Sequence, residues 1–343
     1  MARTTIGQLQ AARGCMLGLA VGDAIGGTIP AEGPLLATSA GQLACFTIEG
    51  IIRASVRYSH KGICHPPSVV WHAYHRWAAM QGIAGVKSWQ VHTDGPWPDG
   101  WLSHVPALAI RRGSAPATVT AIQSGRQGSL DEPSTSSIGA HALIRSLPAG
   151  FWGPQPSRPA AEIAALTHAP TAAGAAALGA TIVANLVRGH EIVDAVQRSE
   201  RDCRGYLLQA AESPITSALA ASRQHPSQLA VLAELVPKAT APAVLAGAVY
   251  VAIGFPEPQQ IRDALLFAAS VPHGEHIAAT VGSFLGTAHG VDALPVDWVS
   301  RLELAWVADT LSRDMISEFT DSPSGSEYSE APDPHWWDRY PGW

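Results

Sequence analysis

One short loop gathers three side chains whose types suit chemistry. In AASVPHGEHIAATVGSFLGTAHG, Ala268 to Gly290, His273, Glu275 and His276 fall within four positions, just ahead of an apolar helical pattern. Two imidazoles and a carboxylate suit a single transition metal such as Zn²⁺, which would activate a water molecule. The order H-x-E-H is not the helical H-E-x-x-H that sets two histidines on one face. The plainer reading is a solvated helix N-terminus at which Glu275 favours the dipole. Other reactive residues are scattered. Cys15, Cys45, Cys64 and Cys203 contain no C-x-x-C pair. That argues against a zinc ribbon or dithiol motif and for free thiols in a reducing cytoplasm. Asp23, in GDAIG, reads as a helix-end cap or a buried structural acid. His60, His65, His72, His75, His92 and His104 form no readable cluster. No G-x-S-x-G elbow or Walker loop occurs. GDAIGG follows a helix rather than a strand, so it is not a dinucleotide fingerprint.

The elements that must position these residues read as helices. Thr5-Ile6-Gly7-Gln8 has the form of a capping box, followed by Leu9, Ala12, Met16 and Leu19 at helical spacing. The glycines of GLAVGDAIGG are expected to turn the chain tightly. A second helix is expected from about Gly41. HPPSVVWHAYHRWAAMQG opens on prolines suited to a first turn and ends at Gly82. PTAAGAAALGATIVANLVRG is an Ala-rich helix closed by Gly189. Further helices are expected over Glu191–Gln197, Ile215–Arg223, Pro258–Ala269, Ile277–Ala288 and Val296–Leu311. No stretch alternates like a strand, and no repeat has a fixed period. The fold class is therefore all-α, one compact multi-helix domain over residues 1–317. From 318 to 343 the composition turns to Ser, Pro, acid and Trp, and a flexible tail is expected there. The whole chain has 343 residues, 47% apolar and 15% charged, with a formal charge of −6. There is no overall basic footprint for nucleic acid. The start of the chain lacks the apolar run of a signal peptide, and APAVLAGAVYVAIGF is too short and broken to span a membrane. A cytoplasmic protein is the expectation.

Several collinear segments together resemble the ADP-ribosylglycohydrolase family of the dinitrogenase-reductase-activating type. GCMLGLAVGDAIGG is similar to the family's opening, and QLACFTIEGIIRA to the helix after its Thr-Asp-Asp-Thr motif. STSSIGAHALIRSLPAG sits where the family has an Asn-Asp-Ser-Lys-Gly-Cys-Gly loop. THAPTAAGAAALGA carries its Thr-His pair at Thr167-His168, and ATVGSFLGTAHGVDALPVDWVSRLE is similar to its closing helices. The resemblance covers roughly Gln8 to Asp314.

It implies an all-helical hydrolase that cleaves ADP-ribose from a modified target, with two Mg²⁺ ions holding the ribose hydroxyls. Magnesium wants an octahedron of oxygens with carboxylates for charge. By the resemblance, the metal positions are Thr38, Ser39, His273, Glu275 and His276, with Ala40 in the place of a second acid. Four expected carboxylates fall to one, Glu275, and imidazole matches a hard cation poorly. The usual Mg²⁺ pair is therefore expected to be lost, with a transition metal as the alternative. A rival register through Thr47-Ile48-Glu49-Gly50 retains one acid. Glu275 is the candidate catalytic residue. Gly139, Ala140, His141 and Ala142 are the candidate ligand loop, offering backbone N–H groups to a pyrophosphate, and His168 is the candidate ribose-pocket residue. The partner is ADP-ribose or an ADP-ribosylated target. Three functions stand side by side: a divergent hydrolase, a pseudoenzyme that binds ADP-ribose or a related nucleotide, and a structural homologue with no ligand.

Overall fold

Alanine and leucine fill most apolar positions, and the chain answers with helices. The computed structural model describes residues 6–26, 32–86, 97–203 and 209–342, giving only the helical backbone for 209–213. In order, the helices are α1 (Gln8–Ile25), α2 (Ser39–Lys61), α3 (Pro66–Met80), α4 (Pro106–Ala109), α5 (Pro116–Ser124) and α6 (His141–Ser146). Next come α7 (Ser157–Ala165), α8 (Pro170–Val187), α9 (Ile192–Asp202), α10 (Gln209–Gln224), α11 (Leu229–Leu235) and α12 (Ala241–Gly254). The last are α13 (Ile261–Ala269), α14 (Gly274–His289), α15 (Val296–Val299), α16 (Ala305–Thr320) and α17 (Trp336–Arg339). Among the described residues extended pairing is limited to isolated bridges.

The closest packing joins α1 to α14. The glycines expected to turn the chain do not; α1 runs unbroken through Gly18 and Gly22 to Ile25. They serve close approach instead. Gly14, Gly18 and Gly22 are four residues apart and lie on one helix face. They meet the backbone of Gly286, Gly282 and Ala278 on α14. A Cβ added at Gly18 would lie 2.7 Å from the Gly282 carbonyl carbon, where ordinary contact begins at 3.4 Å. One turn further, Gly26 lies flush against the Glu275 backbone. Two segments some 250 positions apart in the chain are thus brought together by the absence of side chains.

Other local expectations are modified. Thr5 lies outside the described residues, and α1 starts after Gly7 with no side-chain cap. Helix α2 begins at Ser39, two residues before Gly41, because the Thr38 hydroxyl caps it by accepting from the Ala40 N–H. The expected helix Val296–Leu311 is broken into α15 and α16. Leu35 takes the backbone between them: its N–H donates to the Arg301 carbonyl (2.8 Å) and its carbonyl accepts from the Glu303 N–H (2.9 Å). Helix α8 is long and apolar enough to span a membrane by length and composition, but most of it is buried inside the body. The four cysteines are unpaired.

The expected boundary at 317/318 falls inside α16, which continues to Thr320. Beyond it the chain returns to the body. Trp336 and Tyr340 are buried. The Tyr340 hydroxyl donates to Asp314 (2.5 Å). Arg339 pairs with the same carboxylate, and Trp337 stacks edge-on against His60 of α2. Ser and Pro dominate the segment, yet its aromatic residues find partners on α2 and α16.

Candidate functional site

A cleft of about 170 Å³ opens where the starts of α5, α6 and α14 approach each other. Its walls are Ala115–Thr118, Ser137, Gly139–His141, His168, Ala239 and His276. The loop before α6 is sewn in place from two sides. On one side Gly128 donates to the Leu166 carbonyl (3.1 Å) and Ala169 to the Ser137 carbonyl (2.8 Å). On the other, Ala140 donates to the Ala239 carbonyl (3.0 Å) and Ala241 to the Ile138 carbonyl (2.8 Å). This spends the loop's donors. The Gly139 N–H goes to the Ser137 hydroxyl (3.3 Å), and the Ala142 N–H to the Gly139 carbonyl (3.3 Å). Gly139, Ala140 and Ala142 therefore do not offer the free N–H groups expected of a pyrophosphate loop. Ala142 is fully buried and does not line the cleft.

The polar character of the cleft comes from imidazoles. His141 and His276 stack edge to face, with ring centroids 5.4 Å apart. Burial pushes the His141 pKa down to about 3, with His276 and Arg145 adding to the effect. His168 is 2% exposed. Burial lowers its pKa well below the usual histidine range, and the nearby Arg145 charge acts in the same direction. These rings are neutral at physiological pH.

Beneath the floor lies Arg145 of α6, within the family-like segment STSSIGAHALIRSLPAG. Its side chain is fully buried. It donates to Thr118 (2.9 Å), to Thr167 (2.7 Å) and to the Ile163 and Ala164 carbonyls (3.3 and 3.4 Å) at the end of α7. The guanidinium also sits 4.5 Å from the centre of the Tyr74 ring. Thr118, which escaped notice, follows the proline that opens α5. A proline at a first helical turn was the available signal.

The positions implied for metal ligands lie at this same start of α14 and, across from it, at the end of α1 and the start of α2. Asp23, at the end of α1, accepts from the Thr38 N–H (2.6 Å) and from the Thr38 hydroxyl (2.6 Å). Burial raises its pKa to about 6, and the Glu275 charge adds to the rise. Asp23 thus caps the start of α2, a helix other than its own. Ser39 is buried, with its hydroxyl turned towards Gly113, and Ala40 is fully buried. His273 is the N-cap of α14 in the left-handed region, at φ 64°. Its neighbour His276 lies 3.6 Å through Nε2 from Glu275. Of the implied metal positions only His276 also lines the cleft. Among the described residues no three His, Cys, Asp or Glu side chains converge in a way that could hold a metal ion. In the rival register, Glu49 is unavailable, because Arg53 and Arg76 engage its two oxygens.

Comparison with known proteins bears on the whole chain. A model of the ADP-ribosylglycohydrolase family matches residues 4–325. A solved structure described as an ADP-ribosylglycohydrolase-related protein complex superposes with a TM-score of 0.58. It is 17% identical and covers 90% of this chain and 97% of that one, which shows a shared fold. Comparison with curated proteins gives no match. With a family match spanning both the cleft and the Asp23–Glu275 end, the chain belongs to the ADP-ribosylglycohydrolase family.

Proposed function

We propose that the cleft beside α14 receives the ADP-ribosyl group of a modified target, and that the protein is a divergent hydrolase working without the usual Mg²⁺ pair. The observation that carries this reading is the junction of His168, the 137–141 loop and the start of α14 around one cleft, inside the family match. The donor set does not fit two Mg²⁺ ions. Ser39, Ala40 and His273 stand at three positions where the family resemblance calls for acids. Asp23 is already committed to Thr38. Two dications drawn from water need compensating charge, and hydroxyl and imidazole groups cannot supply it. No step is therefore routed through Mg²⁺.

Glu275 is the proposed general base. It is partly exposed, with His276 beside it, so the pair could take a proton from a water at the mouth of the cleft. A second reading is binding without turnover. It is favoured by the lining of the cleft, which contains no carboxylate.

Calorimetric titration with ADP-ribose, with and without Mg²⁺ or Zn²⁺, tests the binding. Release of ADP-ribose from ADP-ribosyl-arginine and ADP-ribosyl-serine tests the chemistry. Expected are binding that Mg²⁺ does not alter and no Mg²⁺-stimulated release. Metal-independent release that disappears in Glu275→Gln supports the hydrolase, whereas binding with no release supports the second reading. Robust Mg²⁺-dependent turnover would refute the account of the donor set.

A further inference from the structure

Two arginines on neighbouring helices share one buried place in the fold. The side chains of Arg53 on α2 and Arg76 on α3 are 2% and 4% exposed. Glu49 bridges them from the inside, with one oxygen on Arg53 Nε and the other on Arg76 Nη2. Asp99 meets them from the outside, in the loop just ahead of the 3₁₀ turn Trp101–His104. Its side chain is 30% exposed, so this approach is open to solvent. His72, nearby on α3, adds no charge, because burial and then the Arg76 charge lower its pKa to about 4. Two cations thus face two carboxylates. Without Asp99 one positive charge would stay buried and uncompensated, which is strongly unfavourable.

Asp99 fills its place only in part. Its Oδ2 accepts from Arg53 Nη1 (2.9 Å). Its Oδ1 lies 3.6 Å from Arg76 Nε, too far for a hydrogen bond. Arg53 Nη2, Arg76 Nε and Asp99 Oδ1 are buried atoms with no hydrogen-bond partner among the described residues. Each guanidinium therefore keeps an uncommitted donor beside a carboxylate that does not reach it. The backbone sets that reach. Gly100, at φ 80°, lies flush against Arg53 Nη2, where a Cβ would be both strained and in collision. Burial pushes the Asp99 carboxyl up, but the Arg53 and Arg76 charges outweigh it and hold its pKa below the usual carboxylate range. The place favours an anion, and the resident one is tethered short of its best position.

We propose that the Arg53–Arg76 pair is a carboxylate-binding site whose resident ligand is Asp99, and that a carboxylate from outside the chain exchanges with it. One anion replaces another, so the buried charge stays balanced. An untethered carboxylate can reach donors on both arginines, and such charge-assisted contacts offset the loss of the tether. The site stands apart from the cleft, since Glu49 lies roughly 15 Å along α2 from Ser39. The displaced loop carries Trp101, which packs against Trp306 and Arg339. Occupancy is therefore felt at the start of α16 and in the C-terminal segment. Neither the site nor its test depends on ADP-ribose.

The test compares sodium acetate, a blocked aspartate (N-acetyl-aspartic acid α-methylamide) and sodium chloride on the full chain at neutral pH and equal ionic strength. In the unmodified protein the amides of Ser103 and Val105, which close the turn on Gly100 and Leu102, report the loop. Acetate is expected to accelerate their hydrogen exchange at least about twofold, saturably, while α2 stays protected. In Asp99→Ala acetate is expected to bind about tenfold more tightly than chloride and to raise Tm saturably. Arg76→Lys in that background is expected to lose most of the preference, because an ammonium lacks the planar fork. A purely structural ion cluster would show no difference between acetate and chloride in the unmodified protein. That result overturns the proposal and needs no variant to fold. A preference for acetate that survives Arg76→Lys places the anion elsewhere and overturns it as well. Action by acetate alone supports a site for free acids, and action by the blocked aspartate too supports one for an acidic side chain of a protein partner.

Discussion

Replacing Gly18 by Ala sets two effects of opposite sign against each other. In an isolated helix the change would help, by about 1 kcal/mol. Here the new Cβ would stand 2.7 Å from the Gly282 carbonyl carbon and closer still to its oxygen. It falls short of ordinary contact by about 0.7 Å, and both partners are backbone, so no side chain can swing aside. The axes of α1 and α14 must separate, and the neighbouring contacts at Gly14 and Gly22 loosen with them. Overpacking typically costs about 1–3 kcal/mol, and a backbone-on-backbone clash belongs at the upper end. The net loss is then about 2 kcal/mol, or roughly 3 °C in Tm for a chain of this length. Thermal unfolding followed by calorimetry and by helical dichroism reads it directly. Gly282→Ala should behave alike. The double variant should cost less than the sum, since the first substitution already parts the helices. A Gly18→Ala protein that melts at or above the wild type would show that the two helices do not touch as described.

Two further outcomes concern the C-terminal segment. Tyr340→Phe removes the donor to the largely buried Asp314 carboxylate, a loss of about 1.5–3 kcal/mol for a charged acceptor; tryptic cleavage after Arg339 should accelerate, and an unchanged rate would mean that the segment is not held there. Burial raises the Glu318 pKa from 4.5 to about 7. Its native form holds a proton that the unfolded chain has lost, so its contribution to stability is complete below about 4.5 and fades as pH rises to about 7. The half-buried His141 and His72, depressed to about 3 and 4, act oppositely below pH 6.5. The quantity to measure is therefore the difference in Tm between wild type and Glu318→Gln from pH 5 to 8. It should move against the wild type as pH rises, and a constant difference would contradict the burial of Glu318.

Much of the site was legible as residues and little of it as geometry. His141, His168 and His276 were singled out from the sequence, and they share a cleft. Arg145 was legible from the sequence only as a residue retained within the family-like segment STSSIGAHALIRSLPAG. It is buried with no acid paired to it among the described residues, a setting that no spacing along the chain can report. Thr38, Ser39 and Glu275 were grouped through the family's pattern. In the structure Asp23 holds Thr38 by two hydrogen bonds, whereas Ser39 faces Gly113.

Local periodicity alone determined the helical class. Helical spacing, prolines at first turns and glycines at helix ends act within a few residues, so α3 and α8 begin and end close to where the sequence places them. Long-range contacts decided the rest. GLAVGDAIGG suits a turn or a close helix contact equally well, and only the arrival of α14 selects the helix. Leu35 breaks an otherwise continuous helical pattern at 300–304 by claiming its backbone. Tryptophans in a Ser- and Pro-rich segment find a surface on α2 and α16 that local composition does not reveal. In each case the deciding partner lies far away in the chain, and its free energy enters only when the fold brings the two together.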